Sequence, residues 1–348
     1  MTEKQARPSN AQILLTRRYD VRGLSVDMSA PAPVVLLLHP PKTGGTTVHF
    51  NLEAVQSSRR LPYTRFRIER DKWTPPTLMV RGWTGAWNAP EINVDGLSHL
   101  TAQPLQAPLF ISGHFPYGIH ERLKAFFPDR PFYYIGQVRD PVDRELSALN
   151  YEAAKSANGV GASDYLAMIR DGKLLDNPQT RMFAGYEAML DARCTRDTLR
   201  QAKENIAQAF NLIASTQQTH NLMSALVSLY RLPEVAYHQS NITVDKEVEG
   251  FPSHIVGQLE RFHYYDMELH DFVKSGWGEW EARHRGENTR QAWADPVVYV
   301  PQSYDADRTA YGTFRGAINR AMAGISVERE LHAVPLIQKT PDNRLRHP

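Results

Sequence analysis

Lys42, Gly44, Gly45, Thr46 and Thr47 are the residue types that hold a multiply charged anion, and they stand together in Pro41-Lys42-Thr43-Gly44-Gly45-Thr46-Thr47. Adjacent glycines let a backbone curl until successive N–H groups face one point. A helix starting near Thr46 would add the positive end of its dipole. Lys42 supplies a mobile cation, and Thr46 and Thr47 supply hydroxyl donors. The residue order differs from the nucleoside-triphosphatase loop, GxxxxGKS or GxxxxGKT, where lysine follows the last glycine and a hydroxyl then holds magnesium. Here Lys42 precedes both glycines. Taken alone, such a run also suits a plain glycine turn before a helix.

Arg139-Asp140-Pro141-Val142-Asp143-Arg144-Glu145-Leu146-Ser147 offers a second anion grip. Ser147 falls about two helical turns beyond Arg139. A guanidinium at a strand end and a hydroxyl on the next helix can close on one phosphate from two sides. Singly, Arg139 could instead pair with a nearby carboxylate, and Ser147 could be an ordinary small helix residue. Arg144 reads as a surface ion pair.

Ser112-Gly113-His114-Phe115-Pro116-Tyr117-Gly118 brings a histidine to the end of a third apolar run. An imidazole titrates near working pH and can take a proton from a hydroxyl. The chain has 13 histidines, most of which must be structural. His39, just before the glycine loop, reads as one that shapes a strand end.

These groups can cooperate only if the elements before them run side by side. Val34-Val35-Leu36-Leu37-Leu38, Leu109-Phe110-Ile111-Ser112 and Phe132-Tyr133-Tyr134-Ile135-Gly136-Gln137-Val138 are short continuous apolar runs, as expected of strands buried on both faces. Asp140 and Pro141 are a good N-cap and first helical residue, predicting a helix to about 156. Helices are also expected over 46–57, 163–171, 196–210, 217–231 and 253–275, with a strand over 211–215. Strands alternating with helices predict an α/β fold: a P-loop-type doubly wound parallel sheet flanked by helices, with irregular and helical insertions. Ligands of such sheets lie beyond the carboxyl ends of the strands, where all three motifs fall.

The domain boundaries follow. Residues 1–33 read as an extended arm, 34–335 as one domain, and 336–348 as a loose tail. Within the domain, 61–106 is an irregular insertion carrying Trp73, Trp83 and Trp87. Its rings could fill a small core or stack on sugar faces.

HPPKTGGTT at 39–47 with VRDPVDRELSALNY at 138–151 resembles the carbohydrate sulfotransferases that use 3′-phosphoadenosine 5′-phosphosulfate (PAPS). The likeness is to the heparan sulfate and chondroitin 2-O-sulfotransferase group and its bacterial relatives. GHFPYG at 113–118 is similar to the segment holding that group's catalytic histidine. Weaker echoes are Asn177 to Gly185, Ser240 to Thr243, and Tyr265 to Leu269, so the resemblance covers roughly 34–273. It implies that Lys42, Thr43, Gly44, Gly45, Thr46 and Thr47 hold the 5′-phosphosulfate. Arg139 and Ser147 would hold the 3′-phosphate, Thr243 would touch the donor, and His114 would be the base. It implies in-line sulfuryl transfer to a hydroxyl, with a carbohydrate as the expected acceptor, Lys42 assisting and no metal ion required. Lipid, small-metabolite and tyrosine hydroxyls are the other acceptor classes.

Composition bounds the alternatives. A formal net charge of +2 gives no general signal for nucleic acid. The single cysteine, Cys194, excludes an intrachain disulfide framework and a cysteine-based zinc site. No run approaches the roughly 20 apolar residues of a membrane span, and no signal-peptide core stands near the start. The expected location is cytoplasmic. Two rival functions stand: a nucleoside-triphosphate kinase, and a module that binds nucleotide or sulfated glycan without turnover.

Overall fold

The computed structural model describes residues 13–14, 31–45, 47–48, 64–65, 79–81, 86–88, 108–153, 162–171, 173–230, 235–237, 249–284 and 298–300. Apart from short strands and residues 31–33, the arm over 1–33 and the insertion over 61–106 lie outside these residues. So do Thr46, Thr243 and the tail over 336–348.

The central sheet contains β1 (Val34–Leu38), β2 (Thr64–Arg65), β3 (Leu109–Gly113), β4 (Phe132–Val138) and β5 (Phe210–Ser215). Its order is β2-β3-β1-β4-β5, and every neighbouring pair is parallel. The four carboxyl ends of β1, β3, β4 and β5 therefore share one edge. All five residues of β1 are fully buried, because the strand is covered on both faces. Each such side chain contributes about 1.5–3 kcal/mol of burial.

Val34, Leu36, Leu38, Leu109, Ile111, Tyr134 and Val138 form one core. They pack with residues of α1 (Ile119–Leu123), α4 (Pro178–Ala184), α5 (Tyr186–Leu190), α6 (Arg196–Ala209) and α9 (Tyr264–His284). Val35, Leu37, Phe110 and Ile135, alternate residues along the strands, are also buried. Phe110 meets Tyr230, just past α7 (Thr219–Leu229), edge-on at 5.4 Å. A second cluster joins Leu149 of α2 (Pro141–Ala153) and Tyr165 of α3 (Ala162–Arg170) to Ile255 and Leu259 of α8 (Ser253–Phe262). The α/β class, the parallel sheet and its flanking helices agree with the pattern of apolar runs.

Asp140 caps α2 as its residue type predicts, its Oδ1 accepting the Asp143 N–H at 3.0 Å. One expected helix is divided. The apolar spacing over 253–275 predicts a single helix, but the chain breaks at His263 into α8 and α9. The His263 Nδ1 accepts the Asn177 N–H at 3.2 Å. Asn177 Oδ1 in turn accepts the N–H groups of Tyr265 and Asp266, at 2.8 and 3.0 Å. A residue from elsewhere in the chain thus satisfies donors that an unbroken helix would have satisfied itself.

Candidate functional site

The glycine loop leaves β1 through His39 and Pro40 and turns sharply. Lys42 and Gly44 both have left-handed backbone, with φ of 68° and 79°. That conformation costs Lys42 free energy, and it wraps the chain into a concave turn of the kind that binds anions. Gly45, Thr47 and Val48 have helical backbone, so the loop runs into a helix start. Thr43 faces inward, with both its N–H and its hydroxyl donating to the Pro40 carbonyl, at 3.3 and 2.8 Å. Thr47 is buried, and its N–H donates to Gly44 O at 3.0 Å.

Gly45 has no substitute at its position. A Cβ there would stand 2.1 Å from the His39 ring. That ring is buried and meets the His114 ring edge-on at 4.5 Å. His114 Nδ1 lies 2.8 Å from the His39 carbonyl oxygen. A carbonyl only accepts, so Nδ1 carries the hydrogen and donates it. The neutral ring then has its lone pair on Nε2, the arrangement a general base requires. The His39 carbonyl thus orients His114.

Arg139 follows β4 directly. Its Nη1 donates to the Lys42 carbonyl at 3.2 Å. Among the described residues no carboxylate lies within ion-pair distance of it. Burial draws its pKa below the ordinary guanidinium value, while Asp143 and Asp140 act the other way. An arriving anion would restore the stabilisation lost with water.

Lys42 reaches toward α2, with Nζ 4.0 Å above the Tyr151 ring. Such a contact is worth about 0.5–2 kcal/mol. Ser147 lies one turn before Tyr151 on α2 and is half-buried. Arg144 corrects the expectation of a surface pair. It is buried against Glu145, whose Oε1 also lies 3.0 Å from His263 Nε2. Burial lowers its pKa to about 10, opposed by Asp266 and reinforced by Arg139.

Four supporting residues escaped the sequence argument. Thr216 stands just past β5, its hydroxyl 3.0 Å from the carbonyls of both Thr43 and Val138. Gln137, buried in β4, donates closely to Thr219, which donates to Thr216 O at 2.7 Å. Gln179 of α4 holds the Arg139 backbone. Tyr151 holds Lys42. Thr216 had a signal, since it immediately follows an expected strand at the ligand-binding edge. Gln137 had another, a polar residue within an apolar run. Gln179 had only the weak likeness of its segment, while Tyr151 closes the VRDPVDRELSALNY run without a role of its own there.

The structure therefore joins Lys42, Arg139 and Tyr151 by direct contact, and joins His39, Gly45 and His114 by another set. Residues 39–45 belong to both. Among the described residues there is no group of three or more His, Cys, Asp and Glu able to hold a metal ion, and no helix long and apolar enough to cross a membrane. No protein-family model matches the chain, and no curated protein does. Among solved structures it is similar to a sulfotransferase from Alicyclobacillus acidocaldarius, at 13% identity and a TM-score of 0.34. That likeness covers 71% of this chain and 98% of the other.

Proposed function

We propose that this chain is a sulfotransferase that moves a sulfuryl group from PAPS to a hydroxyl, with a carbohydrate as acceptor. The observation that carries the reading is the hydrogen bond from Arg139 to the Lys42 carbonyl. Two anion-binding motifs 97 residues apart meet there, at one edge of the sheet. A ligand with phosphates at both ends suits two linked cationic sites better than a single phosphate does.

The residues fit such a donor. The loop has left-handed backbone at Lys42 and Gly44, and Arg139 keeps its charge unpaired with any carboxylate among the described residues. In this reading Lys42, Thr43, Gly44, Gly45, Thr46 and Thr47 surround the 5′-phosphosulfate. Thr43 acts there through the turn it closes, since its donors are engaged with Pro40. Arg139 and Ser147 hold the 3′-phosphate, and Thr243 touches the donor. When bound, PAPS supplies the sulfuryl group and departs as 3′,5′-adenosine bisphosphate. His114 Nε2 accepts the proton of the acceptor hydroxyl. Its Nδ1–H, held by His39 O, keeps the ring oriented while the charge develops. Lys42 places an ammonium where negative charge collects on the leaving oxygen. The scheme calls for no metal ion.

Calorimetric titration with 3′,5′-adenosine bisphosphate, without added metal, tests the reading against 5′-AMP and ATP. Micromolar binding that requires the 3′-phosphate supports it, and Arg139→Ala then weakens binding about tenfold or more. Equal binding of all three nucleotides, or binding of ATP alone with magnesium, overturns it and favours the kinase. Tight binding with no transfer to any hydroxyl acceptor favours the non-catalytic module.

A further inference from the structure

Arg139 sits one residue beyond the ladder that pairs β4 with β5, which ends at Val138 and Ser215. A strand end of this kind leaves backbone groups to be satisfied by something else. Here a single side chain takes both. The Arg139 N–H donates to Gln179 Oε1 at 2.9 Å, and Gln179 Nε2 donates to the Arg139 carbonyl at 2.8 Å. The amide of Gln179 thereby stands in for a neighbouring strand. Gln179 is buried, and its own N–H donates to Asp266 Oδ2 at 3.1 Å. Asp266 is itself fully buried at the start of α9.

We propose that Gln179 is a positioning residue for the donor's 3′-phosphate. By holding both backbone polar groups of Arg139, it fixes the direction in which the guanidinium leaves the sheet. This inference rests on the sulfotransferase reading of the site. Gln179 itself touches no ligand. It acts through Arg139, so its removal affects the 3′-phosphate and leaves recognition of a 5′-phosphate at the glycine loop.

The test is the ratio of affinities for 3′,5′-adenosine bisphosphate and 5′-AMP. Gln179→Met keeps the side-chain length and removes both bonds, and Gln179→Glu keeps only the acceptor for the Arg139 N–H. Gln179→Met lowers the ratio about tenfold, and Gln179→Glu lowers it less. In an Arg139→Ala background, Gln179→Met causes no further change in the ratio. Where thermal melting shows Gln179→Met to be unfolded, Gln179→Glu carries the same comparison. An unchanged ratio, or an equal loss for both nucleotides, overturns the proposal, as does an additive effect in the double variant. Absence of 3′-phosphate discrimination in the unmodified chain is a different failure, that of the sulfotransferase reading itself.

Discussion

Asn177 and Asp266 each cap the helix to which the other belongs. Asn177 precedes α4, yet its side chain accepts from the N–H groups of Tyr265 and Asp266 at the start of α9. Asp266, in the first turn of α9, accepts from the N–H groups of Gln179 and Thr180 in α4, at 3.1 and 2.7 Å. The two helix starts are thus locked together beneath the Arg139 strand end. The carboxylate also favours the positive end of the α4 dipole.

Loss of that lock is measurable as stability. Asp266→Ala leaves two buried backbone donors without an acceptor and removes the negative neighbour that opposes the lowering of the Arg144 pKa. The expected cost is about 2–4 kcal/mol, read from urea unfolding. A midpoint equal to that of the unmodified protein would mean water or another group replaces the carboxylate.

Gly45→Ala is predicted to damage the site by sterics alone. The added carbon meets the His39 ring at 2.1 Å, and that ring is buried and packed edge-on against the His114 ring. Overpacking of this kind costs about 1–3 kcal/mol. Denaturation should show that loss together with weaker binding of 3′,5′-adenosine bisphosphate. Normal stability and binding would show that the loop is free to shift.

His114→Asn separates orientation from proton transfer. The amide can still donate to the His39 carbonyl, but it has no basic nitrogen. Turnover should fall about 10²-fold or more while bisphosphate affinity is retained. Activity close to that of the unmodified enzyme removes His114 from the mechanism.

His120 links stability to pH. Tyr134 Oη accepts from the N–H groups of Gly118 and His120, at 3.2 and 3.3 Å, so its own hydrogen is left for His120 Nδ1 at 2.9 Å. Protonating Nδ1 breaks that bond. Burial lowers the His120 pKa from 6.5, outweighing the opposing pull of Glu121. The unfolded chain therefore binds the proton first, and this contribution to stability is present above about 6.5 and lost as pH falls through the folded value. Melting temperature should drop between pH 8 and pH 5.5, and His120→Asn should lessen the drop. An equal drop in that variant would assign the effect to other groups.

Much of the frame was already legible in the sequence. The apolar runs at 34–38 and 109–112, and the run at 132–138 from Tyr134 onward, are buried on both faces, and such burial leaves a local mark in residue type. Asp140-Pro141 marks a helix start for the same reason. The Lys42 to Thr47 run and the Arg139 to Ser147 run could be recognised separately, and the parallel-sheet rule placed them at one edge. Tertiary structure alone decided how they touch. The Arg139 bond to Lys42 O, the Gln179 clamp, the break at His263 and the burial of Arg144 all depend on partners distant in sequence. Local spacing encodes which face of an element is apolar. It does not encode which remote side chain will satisfy a given N–H, carbonyl or charge once the elements have packed.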